Sequence, residues 1–171
     1  IDTLIVLEHP RAGQLTASRI QGQRDGVESI IGAIDPSCII TLDSGNTSSI
    51  SEAAVHGTLE GLPRNRHIAV ICFNDDAAVG ALEAARKVYR TQEVLIVGQG
   101  ADRRLRDELR YENTRIVGST AFHPEHYGTA LIDIALKILS GEPVPPAVYV
   151  EHTFISPANV DLHYPNENGR R

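Results

Sequence analysis

The sequence contains no methionine, so Ile1 is not an initiating residue and the amino terminus is read as a cut, made by processing or by design. The lack of a charged-then-apolar leader therefore says nothing about compartment. No uninterrupted apolar run reaches the roughly 18 residues that a membrane helix needs. Cysteine is scarce. Cys38 and Cys72 each sit inside an apolar run, which makes buried structural thiols the expectation over a disulfide or redox pair. Positive charge is in deficit, with 16 Lys and Arg against 22 Asp and Glu and a formal net charge of -6. A nucleic-acid-binding face needs clustered positive charge to displace counterions from phosphate, so no direct nucleic-acid contact is expected from this region.

What is present is a regular alternation. The 171 residues are 42% hydrophobic and 22% charged, the balance of an ordinary soluble globular chain. Residues 3–7, 38–42, 68–73 and 94–97 are continuous apolar runs, and 115–117 is a weaker fifth. Such runs, without polar alternation, are buried on both faces, as in a parallel sheet between helix layers. Between them, Ile20, Val27, Ile30, Ile31 and Ile34 recur at helical spacing, and a second helix falls within 49–59. Ala78, Ala81, Leu82, Ala85 and Tyr89 line one face of a third, and a short polar helix follows the fourth run. The clearest helix covers 124–140: Tyr127, Leu131, Ile134, Ala135, Ile138 and Leu139 form its stripe, Pro124 suits its first turn and Gly141 stops it. Residues 148–155 are expected to form a last strand, and the polar end at 159–171 is expected to fray. The fold class is α/β: a parallel sheet flanked by helices in a Rossmann-like, three-layer arrangement.

In such sheets, ligands sit beyond the carboxyl ends of the strands. The loops there are 8–14, 43–48, 73–76, 98–102 and 119–123, and they hold most of the unusual polar and glycine residues. Gly98-Gln99-Gly100 follows a strand but lacks the third small residue of a dinucleotide fingerprint, since Arg103 stands there. His123 and His126 are three apart, with no third histidine or cysteine beside them. No nucleophile elbow is present. The expectation is therefore no catalytic residue, no metal site and no cofactor. Arg19 is either a solvated charge or a ligand contact: it lies one position before Ile20 in a helix that opens toward the ligand edge, and its five fixed donors suit adjacent sugar hydroxyls. Asn74, in Asn74-Asp75-Asp76, suits a helix N-cap, while its amide can also present donor and acceptor to a ring hydroxyl.

At these residues the chain resembles a known family. Ala17-Ser18-Arg19-Ile20-Gln21-Gly22 is similar to the A-x-R-x-x-G segment of ribose-type periplasmic binding proteins and LacI/GalR repressors. Asn74-Asp75-Asp76-Ala77-Ala78-Val79-Gly80-Ala81-Leu82 resembles their N-D-x-x-A-x-G-A-L segment. Residues 94–98 resemble the strand ending in V-G, and 119–128 resemble the last hinge crossing and the helix after it. The order is the family's order across nearly the whole chain.

The resemblance implies a periplasmic-binding-protein type I lobe, the carboxy-terminal one of two, with a monosaccharide-like sugar enclosed between lobes. It implies that residues 1–118 form the ligand-binding lobe and that 119–142 are a hinge crossing and a helix belonging to the other lobe. Residues 143–158 then return, and 159–171 are a tail. Arg19 and Asn74 match the family's ligand-binding positions. The family's aspartate two residues after the V-G glycine is replaced by Gly100, and Gln99 and Asp102 stand nearest to that place. Phe122 occupies a hinge position often taken by a polar contact, and is read as stacking on a sugar face or packing in the core. His9 and Thr47 are lesser ligand-binding candidates from their loops. The implied protein is no enzyme but the periplasmic sugar-binding component of an ABC importer, with a membrane permease as partner. The alternative is the cytoplasmic effector-sensing core of a LacI/GalR-type repressor. A helix whose own lobe is absent leaves an apolar stripe to cover, and a second copy of the chain is the expected cover.

Overall fold

The computed structural model describes residues 1–167 and contains one sheet of six strands: β1 (Thr3–Glu8), β2 (Ile39–Asp43), β3 (Ile68–Cys72), β4 (Val94–Gly100), β5 (Ile116–Ala121) and β6 (Thr153–Ile155). Their order is β2-β1-β3-β4-β5-β6. The first five are mutually parallel, with Leu4 opposite both Ile39 and Ala69, and β6 alone runs antiparallel along β5. The helices are α1 (Gln14–Ile31), α2 (Ser48–Gly61), α3 (Asp75–Lys87), α4 (Arg103–Leu109), α5 (Tyr127–Leu139) and α6 (Val160–His163). The chain moves one way from β1 to β2 and the opposite way afterwards, so right-handed crossovers place α1 on one face and α2, α3 and α4 on the other.

The parallel core follows the apolar runs. Leu4, Ile5 and Leu7 of β1, which lies between β2 and β3, are wholly buried, as are Ala77, Ala78, Ala84 and Ala85 of α3. These small side chains let α2 and the sheet approach α3 closely. Arg90, just after α3, is the largest fully buried side chain. It donates to the carbonyls of Leu59, Leu62 and Pro63, which the carboxyl end of α2 leaves open, and pairs with Glu93 at 2.6 Å.

Several sequence expectations need correction. The stripe on α1 buries Ile20 but leaves Ile30 84% exposed, because α1 packs on β1 and β3 and its last turn has no neighbour there. Among the described residues α1 alone packs on that face, and Leu95, Val117 and Phe154 of the last three strands are exposed. Tyr89 is 89% exposed rather than on the buried face of α3, because the helix ends at Lys87 and Tyr89 takes a left-handed φ of 56°. Cys72 is buried, but Cys38 is only half-buried, in the turn before β2. The strand expected at 148–155 shrinks to Thr153–Ile155, and the loops expected at 98–102 and 119–123 begin inside β4 and β5.

The tail is anchored rather than frayed as far as Glu167. Arg106 pairs with Glu167 and lies 4.0 Å from the Tyr164 ring centroid, and Arg110 bonds Asp161 at 2.8 Å. Residues 168–171 of that tail lie outside the described residues. The helix α5 buries none of its residues. Leu131, Ile138 and Leu139 of its stripe are exposed, and so are Ile132 and Leu136 beside it. It does not fold back on the sheet.

Candidate functional site

The carboxyl ends of β1 to β5 and the first turns of the following helices meet along one edge, and each candidate residue lies there. Arg19, one turn into α1, donates from Nη1 to the Phe73 carbonyl at 3.4 Å. Its guanidinium lies 4.6 Å from the centroid of the Phe122 ring, close enough for a cation–π contact. Its Nε and Nη2 make no hydrogen bond to the described residues. Gln99 at the end of β4 donates from Nε2 to the Arg19 carbonyl at 3.4 Å. Phe122 is also met edge-on by His152, with centroids 5.0 Å apart. Arg19, Gln99 and Phe122 therefore form one cluster, built from α1, β4 and the end of β5.

Asn74 divides its labour. Its Oδ1 accepts from Ala77 N–H at 2.9 Å and caps α3, while its Nδ2 donates to Asn46 Oδ1 at 3.0 Å. Thr47 and Asp102 are caps as well. Thr47 Oγ1 accepts from Ile50 N–H at 3.3 Å at the start of α2, and Asp102 Oδ1 accepts from Leu105 N–H at 2.9 Å at the start of α4. Their short side chains satisfy amides that a helix start leaves without partners. His9 stacks on Phe73 at 5.7 Å, and its Nδ1 lies 3.4 Å from Asp43 Oδ1. The Asp43 carboxyl is held below the usual range, first by the Gly45 N–H and then by His9.

Three contributors escape the sequence pattern. Asn46 sits in a left-handed turn at φ 58°, a conformation that Asn tolerates, and its place in Gly45-Asn46-Thr47 was the only local signal. His152 comes to Phe122 from far along the chain, and no local signal marks it. Asp75 is 2% exposed directly beneath the edge, and burial pushes its carboxyl up to about 6. The same burial, with the Asp75 charge nearby, raises the Cys72 thiol. His123 takes a left-handed φ of 49° at the end of β5, shares a hydrogen bond of 2.9 Å with Thr153 Oγ1 and stacks on His126. Among the described residues, no three His, Cys, Asp or Glu side chains gather as metal ligands.

Chemically, the edge offers an arginine fork with free donors, three amide side chains (Gln99, Asn74 and Asn46) and an aromatic face. A family model described as a periplasmic binding protein domain matches residues 3–143. No curated protein matches the chain. Solved structures with a similar fold include an ABC transporter solute-binding protein from Agrobacterium vitis bound to α-D-tagatopyranose, at 18% identity and TM-score 0.78, covering 93% of this chain and 51% of that one. A Mycobacterium smegmatis protein in complex with β-D-fucofuranose is similar at 23% identity and TM-score 0.78, over 96% of this chain and 52% of that one. An ABC transporter solute-binding protein from Bacillus halodurans C-125 with bound myo-inositol is similar at 17% identity and TM-score 0.78, over 94% and 53%. The chain thus spans about half the length of these structures.

Proposed function

The chain belongs to the periplasmic binding protein domain family, and on that premise we propose that it is the ligand-binding lobe of a sugar receptor feeding a bacterial ABC importer. The observation that carries the reading is the cluster of Arg19, Gln99 and Phe122 at the carboxyl edge of a parallel sheet. A guanidinium with donors left over addresses neighbouring hydroxyls, and an aromatic ring offers its face to the apolar side of a pyranose. Asn74 and Asn46 add paired amides nearby. The sugars bound in two of the similar structures, and the polyhydroxylated ring of myo-inositol in the third, support the same ligand class.

In this reading, residues 119–142 cross a hinge, α5 packs on a second lobe, and 143–158 return to the first. The exposed apolar surface of α5 supports that division. The receptor works in the periplasm, closes its lobes on a sugar, delivers it to a membrane permease and catalyses no reaction. The test is thermal unfolding of the full-length protein with D-tagatose, D-allose, D-fucose and myo-inositol, each at millimolar concentration. A ligand at about a hundred times its Kd stabilises the native state by roughly 2.7 kcal/mol, so a binder raises the midpoint visibly. Absence of a shift with every sugar, alongside a shift with amino acids or nucleosides, would replace sugar by another ligand class.

A further inference from the structure

A buried acid lies under the ligand edge and reaches two elements at once. Asp75 Oδ1 accepts from the Ser119 hydroxyl at 2.7 Å, and Oδ2 accepts from Asp102 N–H at 2.6 Å. Ser119 Oγ in turn accepts from Ala101 N–H at 2.9 Å. One carboxylate therefore holds two consecutive amides of the turn after β4, one directly and one through Ser119. That turn needs holding: Gly100 has φ 134° and Ala101 has φ 52°, in regions that side-chain-bearing residues rarely adopt. A Cβ on Gly98 would collide with Asp75 Oδ1, and one on Gly100 would lie 3.1 Å from Oδ2. The pair of glycines around Gln99 is thus accounted for by the carboxylate it wraps, with no phosphate involved.

We propose that Asp75 is a positioning residue for the ligand edge, acting through Ser119 and the Asp102 amide to set the turn that carries Gln99. Asp75 is too deeply buried to touch a ligand; it acts through Gln99, which reaches the Arg19 carbonyl. The charged and titratable groups around it are Cys72 on β3, Asp102 at the turn and Arg106 on α4. Burial, the largest influence, raises its carboxyl, and an opened turn would rehydrate it. The closed turn then holds a proton more readily than the open one, so acid favours the closed turn and ionisation favours opening.

The consequence for affinity rests on the sugar-binding reading above; the clamp itself does not. The test therefore has two arms on the full-length protein. Amide hydrogen exchange without ligand should show protection at Ala101 and Asp102 lost in Asp75→Ala, and protection at Ala101 lost in Ser119→Ala, with β1 and β3 unchanged. Asp75→Asn should keep most of it, since its amide oxygen still accepts from Asp102 N–H. In calorimetry, whichever of D-tagatose, D-allose, D-fucose or myo-inositol binds the wild type should bind Asp75→Ala and Ser119→Ala roughly tenfold or more weakly. Asp75→Asn should stay within about threefold, and the wild-type-to-Asn affinity ratio should change between pH 5 and 7.5. Protection at Ala101 and Asp102 that survives Asp75→Ala overturns the proposal, and so does an affinity ratio flat with pH. If no sugar binds the wild type, the functional reading fails, while the exchange arm still decides whether the clamp exists.

Discussion

The Arg19 guanidinium lies 4.6 Å from the centroid of the Phe122 ring, so the first helix and the end of the fifth strand share one contact across about a hundred residues of sequence. A planar cation over a ring is held by the ring's negative face. Arg19→Ala should lower sugar affinity by roughly tenfold or more with the unfolding midpoint little changed. Arg19→Lys should recover only part of it, because an ammonium neither stacks flat nor offers a fork. Isothermal titration of both variants checks this, and wild-type affinity in Arg19→Ala would remove the residue from the site.

Asn74 both caps α3 and presents an amide, and two substitutions separate the roles. Asn74→Ser keeps an N-cap acceptor, so its stability should stay near wild type while sugar affinity falls. Asn74→Ala should lose affinity and also about 1 kcal/mol of stability. Chemical denaturation beside calorimetry reads the two effects independently.

Arg90 is buried with three carbonyl acceptors and one carboxylate partner. Arg90→Ala leaves those carbonyls open and Glu93 without its cation. Leaving buried carbonyls without donors costs about 1–3 kcal/mol, with Glu93 still able to reach water, and urea denaturation should detect the loss. A loss below about 1 kcal/mol would mean that water replaces the guanidinium at the end of α2.

Stability should depend on pH through Asp75. Its folded carboxyl is raised to about 6 from an ordinary 3.8, mainly by burial. A raised acid binds protons in the folded state first, so its contribution is fully present below the ordinary value. It declines as pH rises and is gone above the folded value. Over that window the difference is about 3 kcal/mol, and Asp75→Asn should remove it. Unfolding free energies of wild type and variant at pH 4 and 7.5 test this, with the variant gaining relative to wild type at the higher pH.

The exposed apolar surface of α5 sets a fifth expectation. Burying a large aliphatic side chain is worth roughly 1.5–3 kcal/mol, so Leu131, Ile138 and Leu139 together supply a strong drive to associate. The 171-residue chain alone should sediment as a dimer or larger, and Leu131→Asp with Ile138→Asp should return it to a monomer. A monomeric chain before substitution would show that the stripe is not a self-association surface.

Much of the fold was legible along the chain. The four strong apolar runs became β1 to β4 within a few residues, because aliphatic, β-branched runs suit a pleated sheet. Burial on both faces held for β1 and β3, whereas the edge strand β2 leaves Thr41 and Asp43 exposed and β4 leaves Leu95 exposed. The periodicity of residues 127–139 fixed a helix regardless of partner, since spacing at three and four positions is a local property. The edge was legible too: Asn74, Gln99 and Phe122 stand at strand ends and Arg19 stands one turn into α1, on the side where the α/β connection rule puts ligands. Residues 148–155 misled because a β-branched, aromatic run looks the same whether or not a neighbouring strand is there to pair with it.

What only the tertiary structure decided was who meets whom. Sequence determines each residue's chemistry and its local geometry, and so it offered Asn74 as a cap or a ligand contact, and Thr47 and Asp102 as ligand contacts alone. Packing separated them, by spending the oxygens of all three on helix amides and leaving the Asn74 amide nitrogen to Asn46. It also brought His152 to Phe122 and Ser119 to Asp75, pairs 30 and 44 positions apart, for which no local pattern exists. Hydrogen bonds and ring contacts depend on distances of a few ångströms between segments. Those distances are set by how helices cross a twisted sheet, which no single stretch of chain encodes.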